Sequence, residues 1–241
     1  MKKKILNLIV CFIVMAFLLC ACYVPIEHGN APEMNVFTEN SQETVITSEQ
    51  SPNPLPSPDY SEFFDLSSTP EWVIAYFDLV ESRDYAKDDP YCLYALVYVD
   101  GDDIPELYLS GRYEADGDRI YSYKNGRLVE QYMNRIGGGR YIERSGWVMN
   151  QNGHMGRCYT SIFTLGESGF TQHFTGVEDE HVTWTGDDYQ FSYEYKIDGN
   201  IVSEDAYNAA IKALFDLERS KEFYDAGVSY DTIKQQLIDW K

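Results

Sequence analysis

From Tyr91 the apolar residues recur at a period of two, and this pattern commits most of the following chain to β-strands. Tyr91 to Val99 is apolar on both faces, with Leu93, Ala95, Val97 and Val99 set against Tyr94, Leu96 and Tyr98. A strand of that kind is covered on both sides and lies centrally in its sheet. Shorter strands are expected near 106–111, 119–124, 127–133, 140–149, 157–165, 170–175, 181–185 and 189–197, with Gly, Asn and Asp between them. Asn125-Gly126 is a two-residue hairpin signal, because both turn positions need positive φ. Gly166 to Gly169 and Asp198-Gly199 read as further turns. Tyr189, Phe191, Tyr193 and Tyr195 alternate with Gln190, Ser192, Glu194 and Lys196, the mark of a half-buried strand.

Helices flank this region. Thr69-Pro70-Glu71 has a hydroxyl at the N-cap, Pro in the first turn and a carboxylate facing the helix dipole. Trp72, Val73, Tyr76, Phe77 and Val80 then form one apolar face, and the helix is expected to end around Tyr85 to Lys87. Ser203, followed by Glu204 and Asp205, caps a second helix running to Glu222. Gly227 and Ser229 end it and begin a third that reaches Trp240. The expected class is α+β: a helix, one long antiparallel meander of about eight or nine strands, and two closing helices.

The segment before this domain is of a different kind. Residues 23–67 hold eight carboxylates, six prolines and no Lys or Arg. Such a stretch buries too little apolar surface to offset its chain entropy. Residues 22–66 therefore read as a disordered stalk of 45 residues, reaching roughly 40 Å as a flexible coil. Residues 67–241 are expected to form a single globular domain.

At the N-terminus, Lys2, Lys3 and Lys4 precede an apolar run from Ile5 to Leu19, as in a secretory signal. Leu19-Cys20-Ala21-Cys22 resembles the lipobox of bacterial lipoproteins. That resemblance implies cleavage after residue 21, a diacylated (palmitate-type) Cys22, and a place on the outer face of the cytoplasmic membrane of a Gram-positive cell. An uncleaved anchor helix over Ile5 to Val24 is the alternative, and it leaves the domain on the same side.

Composition restricts the partners. The chain of 241 residues has 19 Lys+Arg against 39 Asp+Glu, a formal charge of −20. Loss of residues 1–21 removes three lysines and no acid, leaving 16 against 39, or −23. Nucleic acid is excluded as a partner, because phosphate binding needs clustered cations.

The stretch Tyr94-Ala-Leu-Val-Tyr-Val-Asp-Gly-Asp-Asp-Ile-Pro-Glu-Leu107 carries an Asp-rich loop between two strands. With Tyr195 to Ala210, it resembles uncharacterised lipoproteins of Firmicutes. The resemblance implies a fold and an address but no reaction. The same loop, with Asp100, Asp102, Asp103 and Glu106, is similar to calcium loops in which alternate carboxylates converge on one cation. Tyr98 stands where the first ligand belongs and Asp103 where the turn glycine belongs, so a solvated acidic turn competes with a weak calcium site. Asp116-Gly-Asp-Arg-Ile120 is a second, partial copy, placed at the opposite end of an unbroken meander.

After lipidation of Cys22, Cys92 and Cys158 are the remaining thiols of the exported part, and a disulfide between them stays open as an expectation. His154 near Cys158, His181 after an acidic run, and Gly137-Gly138-Gly139-Arg140 all read as loop chemistry, because none matches a catalytic spacing. The leading functional expectation is a non-enzymatic binding or accessory module, held to the membrane by its lipid and meeting an extracellular protein or glycan. A cell-envelope hydrolase with paired carboxylates and a structural partner of another envelope protein are the alternatives. A deep cleft with facing acids would favour the first alternative, and a large exposed apolar patch the second.

Overall fold

A computed structural model describes residues 58–83 and 87–240. The signal sequence, Cys22 and nearly all of the stalk lie outside the described residues. The described residues belong to one compact unit, and no helix among them is long and apolar enough to cross a membrane.

The fold is α+β and mostly β, with two antiparallel sheets in place of the single meander expected. The first sheet is a four-stranded meander: β1 (Tyr94–Val97), β2 (Glu106–Leu109), β3 (Asp118–Lys124) and β4 (Arg127–Met133); β1 is its edge strand and not a central one as expected, its burial coming from the layers on both faces and the Val228 bridge to Tyr94. The second takes β5 (Gly139–Tyr141), β6 (Trp147–His154), β7 (Arg157–Gly166), β8 (Gly169–Trp184), β9 (Tyr189–Ile197) and β10 (Asn200–Val202) in sequential order. A short β11 (Lys221–Glu222) closes it against β5. The helices are α1 (Glu71–Glu81), α2 (Glu204–Leu214) and α3 (Tyr230–Ile238).

Two strand boundaries differ from the expectation for local reasons. The segment 140–149 is split by a turn in which Arg144 and Gly146 take positive φ, so β5 and β6 are separate. Conversely, 170–175 and 181–185 are halves of one strand, β8. The acidic run between them does not turn out to solvent, because Asp179 is held by Arg157 and Lys196 across neighbouring strands.

Alternation along the strands sorts the core into three clusters. One face of the first sheet, with Leu107, Leu109 and Tyr121, packs under α1 and α3 through Tyr76, Phe77, Ile233 and Leu237. Its other face, with Val97, Tyr108, Ile120 and Met133, meets Val148, Phe163, Leu165 and Phe223 of the second sheet region. The far face of the second sheet, with Met149, Ile162 and Phe174, lies under Tyr207, Ile211 and Phe215. The layer order is therefore helices, sheet, sheet, helix. Gly176 makes the last contact close: a Cβ there would sit 2.6 Å from the Tyr207 hydroxyl.

The helix ends are partly as expected. Ser203 and Ser229 cap α2 and α3 by accepting hydrogen bonds from Ala206 N–H and Thr232 N–H. In α1 the cap position is Pro70 rather than Thr69, with no side-chain cap, and the helix stops at Glu81. The second helix is also shorter than expected. It ends at Leu214, and the chain then runs through β11 and the 3-10 turn Tyr224–Ala226.

The folded domain starts earlier than its composition suggests. Tyr60, Phe63 and Phe64 surround the Phe77 ring at centroid distances of 5.1, 5.2 and 4.9 Å, and Phe64 is buried. Through Tyr60, Phe63 and Phe64 this stretch is thus packed onto the core and does not extend as a stalk. A chain lacking residues 22–66 is expected to melt roughly 5 °C below one lacking only residues 22–57, because burying one such ring contributes a few kcal/mol. Equal melting temperatures in thermal scans would show that the aromatic trio adds nothing.

Candidate functional site

The acidic loop joins β1 to β2, and three of its four carboxylates converge. One oxygen each from Asp100, Asp102 and Glu106 lies within 4.8 Å of the others. Asp103 does not join them; its side chain is fully exposed, 4.0 Å from Arg144. The centre of the cluster is taken by the Lys124 ammonium from the end of β3. Lys124 Nζ donates to Asp100 Oδ2 at 2.5 Å and to Asp102 Oδ2, and lies 3.9 Å from Glu106 Oε1. Lys124 is buried. Burial opposes its charge, but the hydrogen bonds to Asp100 and Asp102 outweigh that and hold its pKa above the ordinary lysine value.

Lys124 gave no signal as an isolated residue before a turn. Its role follows from register: Leu107 pairs with Tyr121, so Glu106 lies opposite Ser122, with Lys124 two residues further along the same face. Glu106 is fully buried and accepts from Val99 N–H at 2.7 Å and from the Ser122 hydroxyl at 2.9 Å. Burial pushes its carboxyl up to about 7, and Asp100 adds to the effect.

The rest of the loop is backbone turn chemistry. Asp100 Oδ1 accepts from Asp102 N–H at 3.2 Å and Asp102 Oδ1 from Ile104 N–H at 2.8 Å. Arg144 lies over the Tyr98 ring at 4.4 Å and donates to the Asp102 carbonyl at 3.3 Å. Calcium at this loop would have to displace an internal ammonium and would gain no carboxylate from Tyr98 or Asp103. The partial copy near Asp116 falls at the other end of the first sheet. There Asp118 is buried, accepts from Gly137 N–H at 2.9 Å, and has its pKa pushed up to about 6 by burial.

The cysteines do not pair. Cys92 is buried in the core beneath α1 and α3, in the segment before β1 and not in a strand as expected, whereas Cys158 sits on β7 of the second sheet. Both thiols are shifted upward, first by burial, which keeps them protonated. His154 contacts Arg135 at 3.2 Å and gives Cys158 no activating base.

A second candidate is a surface that sequence reading misjudged. Five cross-strand pairs, from Glu180↔Tyr193 to Trp184↔Tyr189, continue β8 and β9 beyond the point where β7 and β10 stop. They form a two-stranded arm closed by Thr185 to Asp188, where Thr185 N–H donates to the Asp188 carbonyl at 3.0 Å. Val182, Trp184, Tyr189, Phe191 and Tyr193 share one face of it by register, and each is at least 50% exposed. His181, Thr183, Gln190 and Ser192 occupy the opposite face. The alternation at 189–197 is as expected, but only its root is half-buried: Tyr195 packs on Tyr207 at 5.3 Å, while the rings beyond it have no cover.

No protein-family model matches the chain, and no curated protein or solved structure matches it either.

The Glu106 environment makes a prediction with a defined sign. A carboxyl whose folded pKa is raised binds its proton more tightly when folded, so its contribution is full below the unfolded value and is lost as pH rises through the folded one. Between pH 6 and pH 8 the domain is expected to lose about 1 kcal/mol from this group, or about 3 °C in melting temperature. Glu106→Gln can still accept from Val99 N–H with its amide oxygen and donate from its NH2 to the Ser122 hydroxyl, and should remove that slope in thermal scans; an unchanged slope would assign it to other groups. Lys124→Met should cost about 3–5 kcal/mol at pH 7.5, since it strands the Asp100 and Asp102 charges.

Proposed function

We propose that this chain is a membrane-anchored extracytoplasmic lipoprotein, lipidated at Cys22, whose folded domain is a non-enzymatic binding or accessory module. The observation that carries the binding reading is the aromatic arm. Four half-exposed rings and a valine present on the order of 500 Å2 of continuous apolar surface, the size at which an exposed patch marks an interaction site. An isolated two-stranded ribbon is also marginal in water, so a partner that covers one face supplies what the arm lacks. The patch favours a protein as that partner, in line with the accessory reading.

A hydrolase reading finds less support. The carboxyls with raised pKa, Glu106 and Asp118, are fully buried and already hydrogen-bonded inside the fold. A catalytic acid must reach its substrate, and these two are committed to hydrogen bonds from Val99, Ser122 and Gly137 inside the fold. The acidic loop, with weak calcium binding as its furthest reach, serves the module as a strut.

Two measurements test the proposal. Mass spectrometry of the protein from a producing cell should find a chain that begins at an acylated Cys22, because two acyl chains provide the anchoring; residues 1–21 still attached would overturn the lipid anchor. A photo-cross-linking residue at Phe191 should give a discrete protein adduct on intact cells, whereas the same group at Ser192, on the opposite face, should not. Equal yields from both positions, or none from either, would overturn the arm as a binding face.

A further inference from the structure

We infer that the aromatic arm takes a basic, apolar segment of another protein, in which hydrophobic and Lys or Arg side chains at every second position share one face; this rests on the arm being the binding face proposed above. The charge pattern is the argument. Residues 178–195 contain six carboxylates and no Lys or Arg. By register Glu178 and Glu180 lie on the same face as the rings, Glu178 opposite Tyr195 and Glu180 opposite Tyr193. Asp187 and Asp188 stand at the tip beside Trp184 and Tyr189, whose rings are 4.8 Å apart.

The cations nearest the arm, Arg157 and Lys196, are directed elsewhere. Both bind Asp179, which register places on the polar face. The apolar face therefore joins aromatic rings and carboxylates, and among the described residues no Lys or Arg forms an ion pair with Glu178 or Glu180, in contrast to the acidic loop, where Lys124 pairs with the acids. Rings with adjacent carboxylates attract ammonium and guanidinium groups through both cation–π and ionic contacts.

The same observations disfavour other occupants. A second copy of the chain brings its own charge of −20 and the same acidic face, which like charges would push apart. An anionic membrane surface would repel the Asp187-Asp188 tip. An extended segment suits the geometry, because β10 leaves β9 at Val202, opposite Tyr195, when Ser203 starts α2. From Glu194 to Tyr189 that edge of β9 is open, and added strands use such edges.

The test uses the full chain and fluorescent octapeptides of the repeat Val-Ser-X-Ser, with X as Lys, Ser or Glu so that Val and X share one face of an added strand, read by anisotropy. The Lys peptide should bind at least tenfold more tightly than the Glu peptide, with the Ser peptide between them, and added salt should narrow the gap. Trp184→Ala combined with Phe191→Ala should weaken the Lys peptide at least tenfold, with circular dichroism confirming the fold. Glu178→Gln with Glu180→Gln should reduce the preference for Lys over Ser several-fold. Equal affinities for all three peptides, each lost in the Trp184/Phe191 variant, would overturn the cationic partner while leaving the arm a binding face. Affinities indifferent to that variant would overturn both, as would a variant-sensitive interaction confined to phosphatidylglycerol vesicles.

Discussion

Stacking the four-stranded sheet on the seven-stranded one sends Glu106, Ser122 and Lys124 inward, on the same side as Tyr108 and Ile120. A carboxylate there cannot stay ionised alone, because removing it from water costs several kcal/mol. The fold meets that cost by three means at once: hydrogen bonds from Val99 and Ser122, a raised pKa, and the Lys124 ammonium. The ammonium then draws in Asp100 and Asp102, which explains why a loop so rich in acid folds back on the sheet instead of extending into solvent. The loop is shaped by the buried Lys124 ammonium, which Asp100 and Asp102 balance.

The same layering explains where the surface is incomplete. Each sheet has one face against the other sheet and one against helices, and α2 extends over only part of the outer face of the second sheet. Where it packs, Tyr195 and Ile197 join the core; past it, Tyr193, Phe191 and Tyr189 continue the same row into solvent. The arm is thus a core face without its covering layer. A chain of this charge has many polar residues to place there, and the alternation at 189–195 instead keeps an aromatic ring at every second position.

This difference marks how far sequence reasoning reaches. Period-two alternation identified most strands, the Asn125-Gly126 hairpin and the facing of each aromatic, because these depend on neighbouring residues. Whether a face is covered depends on elements far along the chain, so the Tyr189–Ile197 strand was legible while the exposure of its outer half was not. Lys124 illustrates the same limit. Its neighbours are a strand and a turn, and only the β2–β3 register places it against Asp100, some two dozen residues earlier. The thiols follow suit, since the sequence does not reveal that Cys92 precedes β1 under the helices while Cys158 lies on the second sheet. The aromatic residues at 60–64 were absorbed into the stalk because proline and serine dominate the composition around them, yet three rings sufficed to bring that stretch onto Phe77.

The two acidic regions end in opposite electrostatic states, and that contrast bears on function. In the loop, three carboxylates share an internal cation at close range, and two of the three are shielded from water, so little attraction remains for an outside charge. On the arm, Glu178 and Glu180 face outward beside exposed rings, and the nearby cations are engaged by Asp179 on the other side. Screening shortens the reach of such charges to roughly 8–10 Å at ordinary ionic strength, so it is the local balance on each face that a partner meets, more than the overall charge. By that measure the acidic loop is closed and the arm is open, although the loop holds the denser cluster of acids.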